Sequence, residues 1–213
     1  MARLVFDCLD VSPERFSVGP ELTFRLRIAD TGGRAVHAAA LRCQIRIQPR
    51  QRTYNDTEAE RLSDLFGDRD RWGQTLQPLQ FANVSATVPS FRGSTELDLP
   101  VPCTYDTEVS STGYFHALEE GEVPLLLLFS GTLFLPGDNG FTVEQVPWDS
   151  EAEYRLPVAV WRDLMDIHFP NSAWLRLRRD TYDELARFKS AQTLPTWESA
   201  IDALLAHARE VRP

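Results

Sequence analysis

The chain has one lysine, Lys189, two methionines and three cysteines in 213 residues. Cys8, Cys43 and Cys103 stand far apart and form no CxxC pair. That excludes a zinc site built on a close ligand pair, and a small fold held by disulfides. No metal and no cofactor is expected. GxSxG, GxGxxG, GxxxxGK[ST] and HExxH are all absent. The hydrolase elbow, the dinucleotide and phosphate loops and the zinc-protease helix therefore have no support. The longest apolar run, around Leu125–Phe129, falls far short of the roughly 20 residues of a membrane helix. The opening Met1–Asp7 meets an acid before any apolar run of signal length. A cytoplasmic protein with free thiols and no membrane insertion is expected, so the Asn-x-Ser/Thr triplets at Asn55 and Asn83 carry no glycan.

What is present is ordinary globular composition: 43% hydrophobic, 25% charged and 10% aromatic. The length suits one domain, or one with a small appendage. The charge is unevenly placed. Residues 1–92 carry 13 arginines and 11 acids, and residues 155–213 nearly balance. Residues 93–154 carry 12 acids and no lysine or arginine, a net of −12 that exceeds the −9 of the whole chain. Nucleic acid is excluded as a partner, because phosphate binding needs positive charge clustered on one face.

Strands dominate the first three quarters. Leu4–Leu9 is the first. Leu22-Thr23-Phe24-Arg25-Leu26-Arg27-Ile28 alternates strictly, with Leu22, Phe24, Leu26 and Ile28 on one face. The strand from Val36 to Gln48 sets Leu41, Cys43, Ile45 and Ile47 against Arg42, Gln44, Arg46 and Gln48. Thr57-Glu58-Ala59-Glu60 reads as a capping box opening a short helix, Glu58–Phe66, closed by Gly67. Strands follow over 76–88, 95–101, 104–109, 124–135, 141–146 and 152–158. The continuous apolar run of 124–135 predicts burial on both faces. Gly131 within it marks a bulge or a close backbone approach. Asn139-Gly140 marks a hairpin turn. Past Pro157 the period becomes helical, with helices around 160–168, from an N-cap at Asp180, and from Pro195. The expected fold is mainly β: an antiparallel β-sandwich, immunoglobulin-like or arrestin-like, over residues 1–158 with a helical insertion near 58–67. A C-terminal helical segment, 159–213, is expected to pack on it.

No residue pattern marks a catalytic centre. Asp166 and His168 are two apart on a helix and do not face each other, so His168 reads as packing or capping. Glu119-Glu120-Gly121-Glu122 reads as a solvated turn. Cys103 and Asp106, after Pro102 at a strand break, are the place to watch for a thiol. Trp148 beside Asp149 is where a carboxylate hydrolase or a carbohydrate-binding site would lie, given a cleft. The stronger signal is charge. Arg25, Arg27, Arg42 and Arg46 occupy the polar faces of two strands, with Arg50 and Arg52 beyond. If those strands pair, unrelieved like charge calls for acids from the 93–154 block, from the C-terminal segment or from another protein. An interface would leave Glu119, Glu120 and Glu122 for a basic partner.

Leu41–Pro49, Val101–Asp106, Leu128–Thr132, Val143–Asp149 and Trp161–Asp166 together resemble an uncharacterised actinobacterial protein family encoded beside nickel–iron uptake hydrogenase genes. The resemblance implies a non-enzymatic accessory role in hydrogenase assembly, maturation or partnering, with hydrogenase subunits or maturation factors as partners. It carries over no catalytic residue. It implies protein binding and not metal delivery, because no Cys or His cluster is present.

Overall fold

The computed structural model describes residues 4–103, 113–137, 140–170 and 177–210. It divides into two compact units, Met1–Pro170 and Asn171–Pro213.

The first unit is a sandwich of antiparallel sheets. β1 (Leu4–Pro13), β2 (Glu21–Asp30) and β7 (Ser94–Pro102) form the smaller sheet, with β2 central. β10 (Glu151–Pro157), β8 (Glu122–Gly137), β4 (Ala38–Ile47) and β5 (Leu79–Val88) form the larger one. β9 (Gly140–Gln145) pairs with the second half of β8. The short β3 (Ala35–Val36) and β6 (Phe91–Arg92) pair beside them.

Alternation determines which face each strand buries. Leu22, Phe24, Leu26 and Ile28 of β2 are buried, as are Leu41, Cys43, Ile45 and Ile47 of β4. Phe6 and Phe129 stack between the sheets at 4.1 Å. Each such side chain contributes about 1.5–3 kcal/mol on burial. On β8 the inner positions Val123, Leu125, Leu127 and Phe129 are buried, but Leu126 and Leu128 on the outer face are only half-buried. The apolar run therefore does not report burial on both faces. Gly131 does mark a close approach, with φ +146 against the backbone of Ala40 and Leu41.

The helical insertion between β4 and β5 is longer than the expected 58–67. It holds a 3-10 turn at Pro49–Gln51, α1 (Asp56–Arg61), α2 (Ser63–Phe66), a second 3-10 turn at Arg69–Arg71 and α3 (Trp72–Thr75). The capping box is Asn55 with Glu58, two residues upstream of the Thr57–Glu60 expectation. A polar run with several caps in series left this choice open, and long-range partners of Glu58 decided it. Gly67 closes α2 at φ +71, as its position implied.

α4 (Val158–His168) belongs to the first unit, so the boundary falls at 170/171 and not at 158/159. Val158, Trp161 and Leu164 are buried, and Trp161 stacks on Phe115 at 4.4 Å. The second unit holds α5 (Arg179–Ala191) and α6 (Trp197–Glu210). Asp180 lies in the first turn of α5, behind an Arg178 N-cap. Pro195 precedes α6, where Thr196 Oγ1 accepts from Ser199 N at 3.1 Å. The expected strand over 104–109 and residues 138–139 of the expected hairpin turn lie outside the described residues; Gly137 and Gly140 are paired.

Candidate functional site

The arginines do not form one ladder. β2 and β4 lie in different sheets, and each pair of arginines has its own surroundings. On β2, Arg27 stands between Asp7 and Glu96, and Arg25 between Asp10 and Asp98. Arg25 Nε donates to Asp98 at 3.1 Å and Arg27 Nη2 to Asp7 at 2.8 Å. The smaller sheet thus neutralises its arginines with acids from both neighbouring strands. These pairs are half-exposed and are worth about 0–1 kcal/mol each.

On β4 the surroundings are different. Arg42 lies between Ser85 of β5 and Ser130 of β8, and Arg46 between Gln80 and Leu126. Neither makes an ion pair among the described residues; Arg46 Nη2 donates to Gln44 Oε1 at 2.9 Å. Arg42 is exposed in a shallow depression of about 530 Å³ floored by Ala40 and Gly131 and rimmed by Ser85, Thr87 and Gln145. The acids of β10 do not reach it: Glu153 shares the row of Arg46 but stands two strands away, with Leu126 between. Period-2 alternation put all four arginines on polar faces. It carries no information about which strand lies beside which, so it could not separate the neutralised pair from the free one.

The other expected residues scatter. Arg50 donates to the carbonyl of Gly73. Arg52 turns inward: Nη2 bonds Glu58 Oε1 and the carbonyl of Glu120, each at 2.6 Å, with its side chain 10% exposed and that of Glu58 3%. Glu58 Oε1 also accepts from Glu119 N at 2.9 Å, and Oε2 from Asn55 N at 3.3 Å. Glu119 is not simply solvated, since Arg61 and Asn55 hold its carboxylate. Glu120 and Glu122 are exposed. Around the Arg52–Glu58 pair lie Tyr54 and Tyr114, whose hydroxyls meet at 2.7 Å. Tyr54 donates to the carbonyl of Pro49 at 2.9 Å, so Tyr114 is the donor between the two. Burial pushes the Tyr54 hydroxyl up to about 12, against the pull of the Tyr114 bond and the Arg52 charge. This network was not legible in the sequence, because its members come from separate segments.

Burial pushes Cys43 up to about 12, and burial with the nearby Asp10 charge does the same to Cys8. Cys103 is buried, with its Sγ 3.5 Å from the carbonyl of Val101. Asp106 lies outside the described residues. His168 Nε2 meets the carbonyl of Glu14 at 3.2 Å, tying the end of α4 to the β1–β2 connection. Asp166 is exposed on α4. Trp148 is 94% exposed. It and Asp149 sit on the tight turn where Ser150 N bonds the carbonyl of Pro147, and neither lines the Arg42 depression. Among the described residues no three His, Cys, Asp or Glu side chains converge as a metal site. No helix among them is long and apolar enough to cross a membrane.

A second charged cluster links the end of β2 to β9. Asp30, buried, accepts from the backbone N–H of Gly32 and Arg34 and from the Arg34 guanidinium at 2.9 Å. The same guanidinium reaches both oxygens of Glu144, at 3.2 and 3.0 Å. Burial pulls the Asp30 carboxyl upward, but the Arg34 bonds and the Gly32 N–H outweigh it and hold the group below the usual carboxylate range. A depressed pKa means that the stabilisation is present above the unfolded-state value and is lost as pH falls through the folded one. Asp30→Asn is therefore expected to lower stability by about 1–3 kcal/mol at neutral pH. The gap between variant and wild type should close in the acid range, below about pH 4. Denaturant midpoints measured from pH 7 to pH 3 check both parts, and a constant gap would show that the charge on Asp30 is not what matters.

The profile of one family matches residues 1–213. The chain belongs to DUF6084, a family of unknown function. No curated protein matches it in sequence. Among solved structures, the CARDB domain of the PF1109 protein from Pyrococcus furiosus, in complex with di-metal ions, is 11% identical over 73% of this chain and 92% of that one, with a TM-score of 0.28. β-Glucosidase 3B from Thermotoga neapolitana is 15% identical over 72% of this chain and 17% of its own length, with a TM-score of 0.26. A β-glucosidase from Kluyveromyces marxianus is 8% identical over 72% of this chain and 15% of its own, with a TM-score of 0.24. At these identities and scores the likeness says nothing about chemistry here; the sandwich assignment stands on the strand pairing itself.

Proposed function

We propose that the chain is a non-enzymatic protein-binding module that presents the outer face of its larger sheet to an acidic surface of a partner. One observation carries this. Of the four face arginines, Arg25 and Arg27 are neutralised by their own neighbours, and Arg42 and Arg46 make no ion pair among the described residues. An exposed guanidinium set among serine, threonine and glutamine side chains offers directed donors to a carboxylate and little to an apolar ligand. On the family resemblance given above, the partner is a nickel–iron hydrogenase subunit or one of its maturation factors, and the module acts in assembly or partnering.

The double variant Arg42→Gln/Arg46→Gln tests the surface. Its denaturation midpoint is expected to stay at the wild-type value, because neither arginine holds a structural ion pair. Its affinity for purified hydrogenase subunits and maturation factors, measured by calorimetry at low and high salt, is expected to fall at least tenfold, about 1.4 kcal/mol or more. Wild-type binding should itself weaken as salt rises. Equal affinities for the two proteins would remove the arginine surface. Absence of wild-type binding to every hydrogenase component would remove the hydrogenase assignment.

A further inference from the structure

β9 is an edge strand without the protection such strands carry. Its sequence, Gly-Phe-Thr-Val-Glu-Gln over 140–145, has no proline and one charged residue, and all six positions are exposed. Edge strands in monomers are normally blunted by free charge, proline or bulges, because their open backbone groups template pairing with another strand. Here Glu144, which would supply the charge, has both oxygens bonded to Arg34. Phe141 and Val143, 61% and 57% exposed, lie on the outer face beside Pro136 and Phe134.

The backbone pattern shows which groups are open. Val146 N bonds the carbonyl of Gly131 at 2.9 Å. Antiparallel alternation from that bond turns the backbone groups of Thr142 and Glu144 toward β8, and those of Phe141, Val143 and Gln145 toward the open edge.

We infer that β9 pairs, antiparallel and about a two-fold axis at Val143, with β9 of a second copy of this chain. The register is the one that matches the open groups: Val143 faces Val143 of the copy, and Phe141 faces the copy's Gln145. On the inner face Glu144 meets the copy's Thr142, not its Glu144. No like charges oppose, a hydroxyl donor faces each carboxylate, and Arg34 stays beside it. The larger sheets of two chains then join into one continuous sheet, with the Arg42 surface repeated on the same face of each half.

Sedimentation velocity from about 1 to 100 µM, the range in which modest interfaces assemble, tests this with three proteins. Wild type is expected to move from the 24.2 kDa chain mass toward twice that value. Val143→Lys sets two ammonium groups face to face on the axis and should stay at 24.2 kDa. Arg155→Gln, exposed on β10 and off the β9 edge, should dimerise like wild type. Amide exchange in wild type needs no variant: the N–H groups of Phe141, Val143 and Gln145 should slow as concentration rises. A wild type that remains at chain mass overturns the inference and leaves the edge to a strand of a different protein. A Val143→Lys chain that still dimerises, or exchange at those three amides that ignores concentration, also overturns it.

Discussion

Replacing Glu58 by alanine is expected to destabilise the protein by about 3–5 kcal/mol, the cost of leaving a buried charge without its partner. The Arg52 guanidinium is nearly enclosed, and its buried Nη1 has no hydrogen-bond partner among the described residues. Its stability in that place rests on Glu58, on the carbonyl of Glu120 and on the Tyr54 ring, 5.4 Å from its central carbon. Removing the carboxylate also strips the N-terminus of α1 of half its capping box and leaves the N–H of Glu119 without its acceptor. Three segments, 49–55, α1 and 114–120, would then lose their common tie. Glu58→Gln should cost less, because the amide oxygen still accepts from Arg52 and Glu119. The double variant Arg52→Met/Glu58→Met should recover much of the loss, since replacing both ions avoids the orphaned charge. Urea unfolding of the three variants reads this directly. A Glu58→Ala loss under about 1 kcal/mol would mean that Arg52 escapes to solvent when its partner is removed.

That network shows where sequence reasoning stops. Glu58 sits in Thr57-Glu58-Ala59-Glu60, a run whose local pattern assigns the capping carboxylate to Glu60, and nothing local marks Glu58 for burial. Its partners arrive from residue 52 on one side and from 114–120 on the other, so its burial is a property of chain topology. The strand Leu22–Ile28 is the opposite case. One buried face imposes a period of two on the residues themselves, and the faces of β2 and β4 could be read before any neighbour was known. Alternation assigns a face and never a neighbour. Asp7, Asp10, Glu96 and Asp98 therefore could not be matched to Arg25 and Arg27, nor could the absence of acids around Arg42 be seen. The acid-rich block 93–154 relieves arginine charge through Glu96 and Asp98 of β7, and through Glu144 of β9, which pairs with Arg34. The other half of the relief around Arg25 and Arg27 comes from β1, outside that block.

Gly131→Ala is expected to be the most damaging single methyl that can be added to the sandwich. A Cβ at this position would lie 2.1 Å from the carbonyl oxygen of Ala40 and 3.0 Å from the Cα of Leu41. Both are backbone atoms of β4 in the centre of the larger sheet, so no side chain can swing aside to make room. The residue also holds φ +146, a conformation that L residues avoid. Relief would require β4 and β8 to separate where Leu41 pairs Gly131. That would disturb the bond from Val146 N to the Gly131 carbonyl, just past the end of β9. Overpacking and backbone strain each cost about 1–3 kcal/mol, so a combined loss of about 3 kcal/mol or more is expected. Gly67→Ala supplies the contrast: Gly67 has φ +71 and ψ −163, a conformation essentially reserved for glycine, but nothing within 4 Å of a new Cβ, so it meets backbone strain without collision and should lose about 1–3 kcal/mol. Thermal and urea midpoints of the two variants, compared side by side, separate collision from strain. If the two losses were equal, the close approach of β4 to β8 would not be what requires glycine at 131.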